Sequence, residues 1–149
     1  MNLNEYLGKF PGTSDTYGQL KSSVIKAFHS KSFKLFWRNW NPLYGYMLSK
    51  YINRPLSKTT NGTISSLLTF LFSGLILHDL WVMPLFCILF KKVPFFPVTL
   101  VFFCFWIVMA VENSFKLRSH LENDKIHVLI NIVYVLGCSI AGGIISALI

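Results

Sequence analysis

The residues best suited to chemistry are an adjacent pair, His78 and Asp79, in the middle of an apolar stretch, ISSLLTFLFSGLILHDLWVMPLF. Ionisable side chains are costly in hydrocarbon and turn toward a protein interior or a water-filled cavity. An imidazole that titrates near neutrality suits proton transfer. Burial disfavours its charged form, so His78 is expected to be a neutral base. The plainer reading is a histidine hydrogen-bonded between helices. Adjacent side chains on a helix diverge by about 100°, so Asp79 is a weak candidate for orienting His78 directly. Asn41, in FWRNWN, stands 37 residues before the histidine, and its amide is a candidate to fold over the cavity that His78 lines.

These residues must be positioned by membrane elements. Hydrophobic residues make up 53% of the 149 and charged residues 13%, against roughly 25% charged in soluble domains. Mean hydropathy is +0.51. The expected fold is therefore all-α and polytopic. An amphipathic, basic interfacial region spans residues 1–60, and a transmembrane helical core spans 61–149. Apolar runs at Ile64–Phe90, Val93–Val111 and Ile126–Ile149 each cover a hydrocarbon core of about 30 Å at about 1.5 Å per residue. The first is long, and Pro84 marks a place where it tilts or breaks.

Within the first third, Tyr17, Leu20, Val24 and Phe28 share one helical face, with Lys21, Lys26 and Lys31 among the polar positions. Such a helix lies in the membrane interface or packs on the protein's own spans. Phe10-Pro11-Gly12 reads as a turn, with Thr13 or Ser14 as a helix cap. The segment 32–56 mixes basic residues with aromatics suited to the headgroup level. A helix boundary or kink is expected at Asn41-Pro42, and Arg54-Pro55 is expected to end the segment. Asn61-Gly62-Thr63 reads as a turn. The N-terminus lacks the apolar core of a cleavable signal peptide.

The formal charge is +8, and nine of the 14 Lys and Arg residues precede position 60. With three crossings, the N-terminal region and the Glu112–Lys125 loop share the positive side, which places the N-terminus in the cytoplasm. Membrane lipids are the expected partners and nucleic acid is not, given the apolar bulk. Cys87, Cys104 and Cys138 sit in apolar runs as small hydrophobes. His29, His120 and His127 show no metal-ligand spacing and are read as structural or exposed, so no metal is expected. Ser139, Gly143 and Ala147 form a small-residue face suited to close helix packing within the chain or between copies.

FWRNWNPLYGYMLSKYINRPL followed by TFLFSGLILHDLWV resembles the membrane-bound O-acyltransferase family. The style is nearest to its diacylglycerol and sterol acyltransferase and wax synthase branches. The match covers roughly residues 33 to 82. It implies His78 and Asn41 as catalytic residues and Trp37, Arg38, Trp40, Ser73 and Asp79 as substrate-binding residues. It further implies acyl transfer from a thioester, with acyl-CoA as co-substrate and no other cofactor, to a hydroxyl of a lipid-like acceptor. His78 would take the hydroxyl proton. Asn41 would donate to the thioester carbonyl, where oxyanion stabilisation is usually a large effect. Arg38 would meet coenzyme A phosphates or lipid headgroups. Ser73 stands five residues before His78, one more than the family pattern. The extra residue rotates a helix by about 100°, so a bulge or a changed pocket wall is expected there. Family members carry many more spans, so the chamber is expected to be completed by other copies of the chain or by a partner subunit. The competing readings are a non-catalytic lipid-binding or accessory subunit, and a transporter component with His78 and Asp79 on an ion path.

Overall fold

A computed structural model of the chain describes residues 16–91, 95–118 and 120–149. The turn at Phe10-Pro11-Gly12, the cap at Thr13 or Ser14 and the side chains of Tyr17 and Leu20 lie outside what it describes. Every regular element among the described residues is helical. Helix α1 is Thr16–Phe28, α2 is Phe33–Trp40 and α3 is Pro42–Leu48. A π-turn, Ser49–Asn53, leads into the short α4, Arg54–Leu56. Then come α5 (Gly62–Gly74), a second π-turn (Leu75–Asp79), α6 (Leu80–Phe90), α7 (Pro97–Phe115) and α8 (Asp124–Leu148).

Elements α5, the second π-turn and α6 run on as one helix. Three helices are long and apolar enough to cross a membrane: Gly62–Leu89, Pro97–Phe115 and Asp124–Leu148, of 28, 19 and 25 residues. At 1.5 Å per residue they reach about 42, 28 and 37 Å, against about 30 Å of hydrocarbon. Their outer faces are bare apolar side chains, with Trp81 and Ile88 each 76% exposed. The chain is an all-α polytopic membrane protein.

Pro84 does not break the first span. It sits inside α6, and the irregularity falls earlier, at Leu75–Asp79. Proline is tolerated in membrane helices where local adjustments re-satisfy the freed backbone groups. The other boundaries follow local chemistry. Asn41 is extended between α2 and α3, and its Oδ1 accepts from Tyr44 N at 3.2 Å. Pro42 then fills the first helical turn, where its missing N–H costs nothing. The helix continues through Arg54-Pro55 and ends at Leu56, where the segment 32–56 was expected to end. Asn61 is a helix cap rather than part of a turn: its Oδ1 accepts from Ile64 N at 2.8 Å and starts the first span.

Helix α7 packs against both α5 and α8. Two glycines permit the close approach. A Cβ on Gly74 would stand 2.6 Å from Thr99 Cα, and one on Gly142 would stand 2.6 Å from Val101 N. Ser139, Gly143 and Ala147, read as a packing face within the chain or between copies, do not pack within the chain: they are exposed, and a Cβ on Gly143 meets nothing within 4 Å. The face used within the chain is therefore one residue out of register with the one read from spacing.

A buried polar clasp joins the spans to the turn between α1 and α2. Asn131, fully buried on α8, donates through Nδ2 to Phe28 O (2.7 Å) and Ser30 O (3.0 Å). Its Oδ1 accepts from Arg118 Nη1 and Nη2, both at 3.0 Å. Glu112, at the end of α7, pairs with Arg118 and accepts Phe33 N through Oε1 at 2.8 Å. That carboxylate meets the first N–H of α2, where the helix dipole favours negative charge. Arg118, a basic residue of the Glu112–Lys125 loop, is thus a structural partner of Glu112. Phe33 and Phe36 of α2 are wholly buried against Phe105 and Ala27. Burial of each is worth about 1.5–3 kcal/mol. The clasp and this core hold α2 rigidly over the spans.

Candidate functional site

With α2 fixed, its remaining side chains border a cavity of about 420 Å³. Trp37, Arg38, Trp40 and Asn41 contribute from the FWRNWN segment, and Ser73 and His78 from the first span. Residues 37 apart in sequence therefore share one chamber. Trp37 packs edge-on to Phe70 with ring centroids 5.7 Å apart, and lies tilted 5.4 Å from Phe102. Its indole N–H is buried without a partner among the described residues. Trp40 stacks on Phe36 at 5.4 Å.

The π-turn decides where His78 faces. Ser66, Thr69 and Ser73 follow one another at three- and four-residue steps and line the cavity together. On a regular α-helix His78 would stand about 140° around from Ser73. The extra residue of the π-turn takes up about 100° of this and returns His78 to the same face. The imidazole then closes the bulge on itself: Nδ1 lies 2.8 Å from Ser73 O. A carbonyl only accepts, so Nδ1 carries the proton and, in the neutral ring, Nε2 carries the lone pair. The ring is half-buried and lies 5.1 Å from that of Phe102.

Asn41 has a divided role. Its carboxamide oxygen caps α3, which leaves the NH₂ group as the available donor. Arg38 is exposed at the rim. Lys50, further along, donates to Tyr46 Oη at 3.1 Å and lies over the rings of Tyr46 and Tyr51. The hydrogen bond to Tyr46 raises its pKa above the usual lysine value, so it remains cationic at any physiological pH.

Asp79 does not line this cavity. It is 0% exposed, and both carboxylate oxygens are engaged by the start of α7: Oδ1 by Val98 N at 2.9 Å, and Oδ2 by Thr99 N at 2.8 Å and Thr99 Oγ1 at 2.6 Å. Adjacent helical side chains point apart, so the turn that presents His78 to the cavity sends Asp79 to the neighbouring span. Its place is that of an anion on helix N–H groups, and it acts on the site by holding α7, which carries Phe102.

Sequence reading overlooked the polar wall. Ser49 and Asn53 from the first π-turn, and Ser66 and Thr69 from α5, also border the cavity. The 66–69–73 spacing puts these hydroxyls on one face, but Thr63 and Ser65 on the same helix mask that pattern in the sequence. Asn53 Nδ2 donates to Thr69 Oγ1 at 3.3 Å and ties the two segments together. His29 and His120 are exposed, whereas His127 is fully buried with Nε2 3.1 Å from Leu121 O. No family model matches the chain, and no curated protein or solved structure matches it.

Proposed function

We propose that this chain is a membrane O-acyltransferase of the membrane-bound O-acyltransferase type, with His78 as general base. The observation that carries this reading is the convergence of His78 and the FWRNWN segment on one cavity, with the imidazole proton committed to Ser73 O. Nε2 is then a lone-pair acceptor in a mostly apolar chamber.

The step proceeds as follows. The acceptor hydroxyl gives its proton to His78 Nε2 while its oxygen attacks the thioester carbonyl carbon. The tetrahedral oxyanion is met by the Asn41 NH₂ group. Collapse breaks the carbon–sulfur bond and expels the thiolate, which recovers the proton from the imidazolium. The products are an ester and a free thiol. Aromatic side chains contact the acyl chain, and Arg38 at the rim meets the donor's phosphates if the donor is acyl-CoA. Other copies of the chain, or a partner subunit, complete the chamber.

The test is product formation. Purified protein in lipid nanodiscs is given isotopically labelled acyl-CoA and membrane lipid extract, and thiol release and new acyl esters are followed by mass. A labelled ester formed in step with thiol release supports the reading. Unchanged lipids and donor favour a chain that binds lipid without transforming it.

A further inference from the structure

The two walls of the cavity differ in a way that bears on the acceptor. In one, Trp37, Phe70 and Phe102 supply an aromatic part, into which the Trp37 indole N–H brings one donor unpartnered among the described residues. The other carries hydrogen-bonding groups that no described residue satisfies. The Ser49 and Ser73 hydroxyls and Asn53 Oδ1 have no protein partner there, and neither do Asn41 Nδ2 and His78 Nε2. Their neighbours are already committed: Thr69 Oγ1 donates to Ser65 O and accepts from Asn53, while Ser66 Oγ donates to Thr63 O and accepts from Trp106.

A sterol or a long-chain monoalcohol brings one hydroxyl. Seated here, it would satisfy His78 and leave the serines and Asn53 dehydrated without partners, which is costly. A site with polar groups placed for substrate hydroxyls rejects analogues lacking them far more strongly than an apolar pocket rejects a misfit. The polar groups also lie along the wall rather than at one point. Ser73 stands beside the base, and Ser49 and Asn53 on the segment opposite α5. Several separate polar groups suit a ligand that carries several hydroxyls.

We infer that the acceptor is a polyhydroxylated group, a sugar or another polyol, seated against Ser49, Asn53 and Ser73, with one of its hydroxyls delivered to His78. This rests on the acyltransferase reading and narrows its acceptor class. It departs from the sterol and diacylglycerol acceptors that the sequence resemblance suggests. The polyol is either the headgroup of a glycolipid or a free glycoside.

The experiment offers four acceptors separately to nanodisc-embedded protein with acyl-CoA: monoglucosyl diacylglycerol, methyl glucoside, cholesterol and hexadecanol. Thiol release and ester mass are read for each. The expected result is transfer to one of the two glucosides at least tenfold faster than to cholesterol or hexadecanol, and which one identifies the source. Ser73→Ala removes a hydroxyl with no protein partner and keeps the backbone carbonyl that holds His78. It is expected to raise KM for the glucoside about tenfold. Asn53→Leu is expected to do the same, and agreement between the two separates binding from any loosening of the Asn53–Thr69 tie. Preference for cholesterol or hexadecanol, or a glucoside KM unmoved by Ser73→Ala, overturns this inference and leaves the acyltransferase reading intact. No thiol release with any of the four, nor with membrane lipid extract, removes both.

Discussion

Asp79 offers the sharpest contrast between two roles, because its carboxylate is wholly taken up by three hydrogen bonds from the first turn of α7. Asp79→Ala leaves Val98 N, Thr99 N and the Thr99 hydroxyl without their acceptor in a partly buried site. Interhelical hydrogen bonds in membrane proteins contribute about 0.6–1.7 kcal/mol each, so three give about 2–5 kcal/mol. Asp79→Asn keeps one acceptor oxygen but turns an amide donor toward a remaining donor, and is expected to lose at least half of that. The assay is reversible unfolding in mixed detergent micelles, followed by circular dichroism, alongside donor and acceptor KM for the folded fraction. A structural Asp79 lowers the unfolding free energy and leaves both KM values within about twofold. Unchanged stability with a large rise in donor KM would refute this account and return Asp79 to the substrate.

The clasp at the other end supports further tests. Asn131→Leu removes two carbonyl contacts and the acceptor of Arg118; it is expected to cost about 2–5 kcal/mol and to speed proteolysis between residues 28 and 33 while the spans remain protected. Gly142→Ala forces α8 away from Val101 and is expected to cost about 1–3 kcal/mol in the same unfolding assay, whereas Gly143→Ala is expected to leave the isolated chain unchanged. If copies complete the chamber through the outward Ser139–Gly143–Ala147 face, Gly143→Ile shifts the particle to a smaller mass by light scattering and lowers turnover in parallel. A monodisperse wild-type monomer with full turnover would rule out that assembly.

The spans were legible because run length and apolarity are local properties. The Asn41-Pro42 boundary was legible for the same reason, since the amide caps and the imide fits the first turn. Pro84 misled because a membrane helix can repair one missing hydrogen bond. The true irregularity was signalled only by the one-residue excess between Ser73 and His78. Register was legible only to within one residue on α8, where Gly142 and Gly143 are indistinguishable by type and only packing against Val101 separates them. The clasp was not legible. Glu112, Arg118 and Asn131 lie on three different segments, and a polar residue in an apolar run says that a partner exists without naming it. In the site, the aromatic motif and His78 stood out by residue type. Ser49, Asn53, Ser66 and Thr69 are unremarkable in sequence and acquire a common role only when α5 faces the first π-turn. Asp79 was placed among the substrate-binding residues by the resemblance alone, whereas helical geometry, which separates adjacent side chains, already turned it away from His78.

The central claim is that His78 removes a proton from the acceptor. Its most direct test is acyl-CoA turnover in nanodiscs by the wild type, His78→Ala and His78→Gln, with unfolding midpoints measured on the same preparations. Loss of a general base lowers turnover by about 10²–10⁴-fold. The account predicts that loss in both variants, with folding retained in His78→Gln, whose amide lacks a basic lone pair. Turnover within a few-fold of wild type in a folded His78→Ala protein would contradict it.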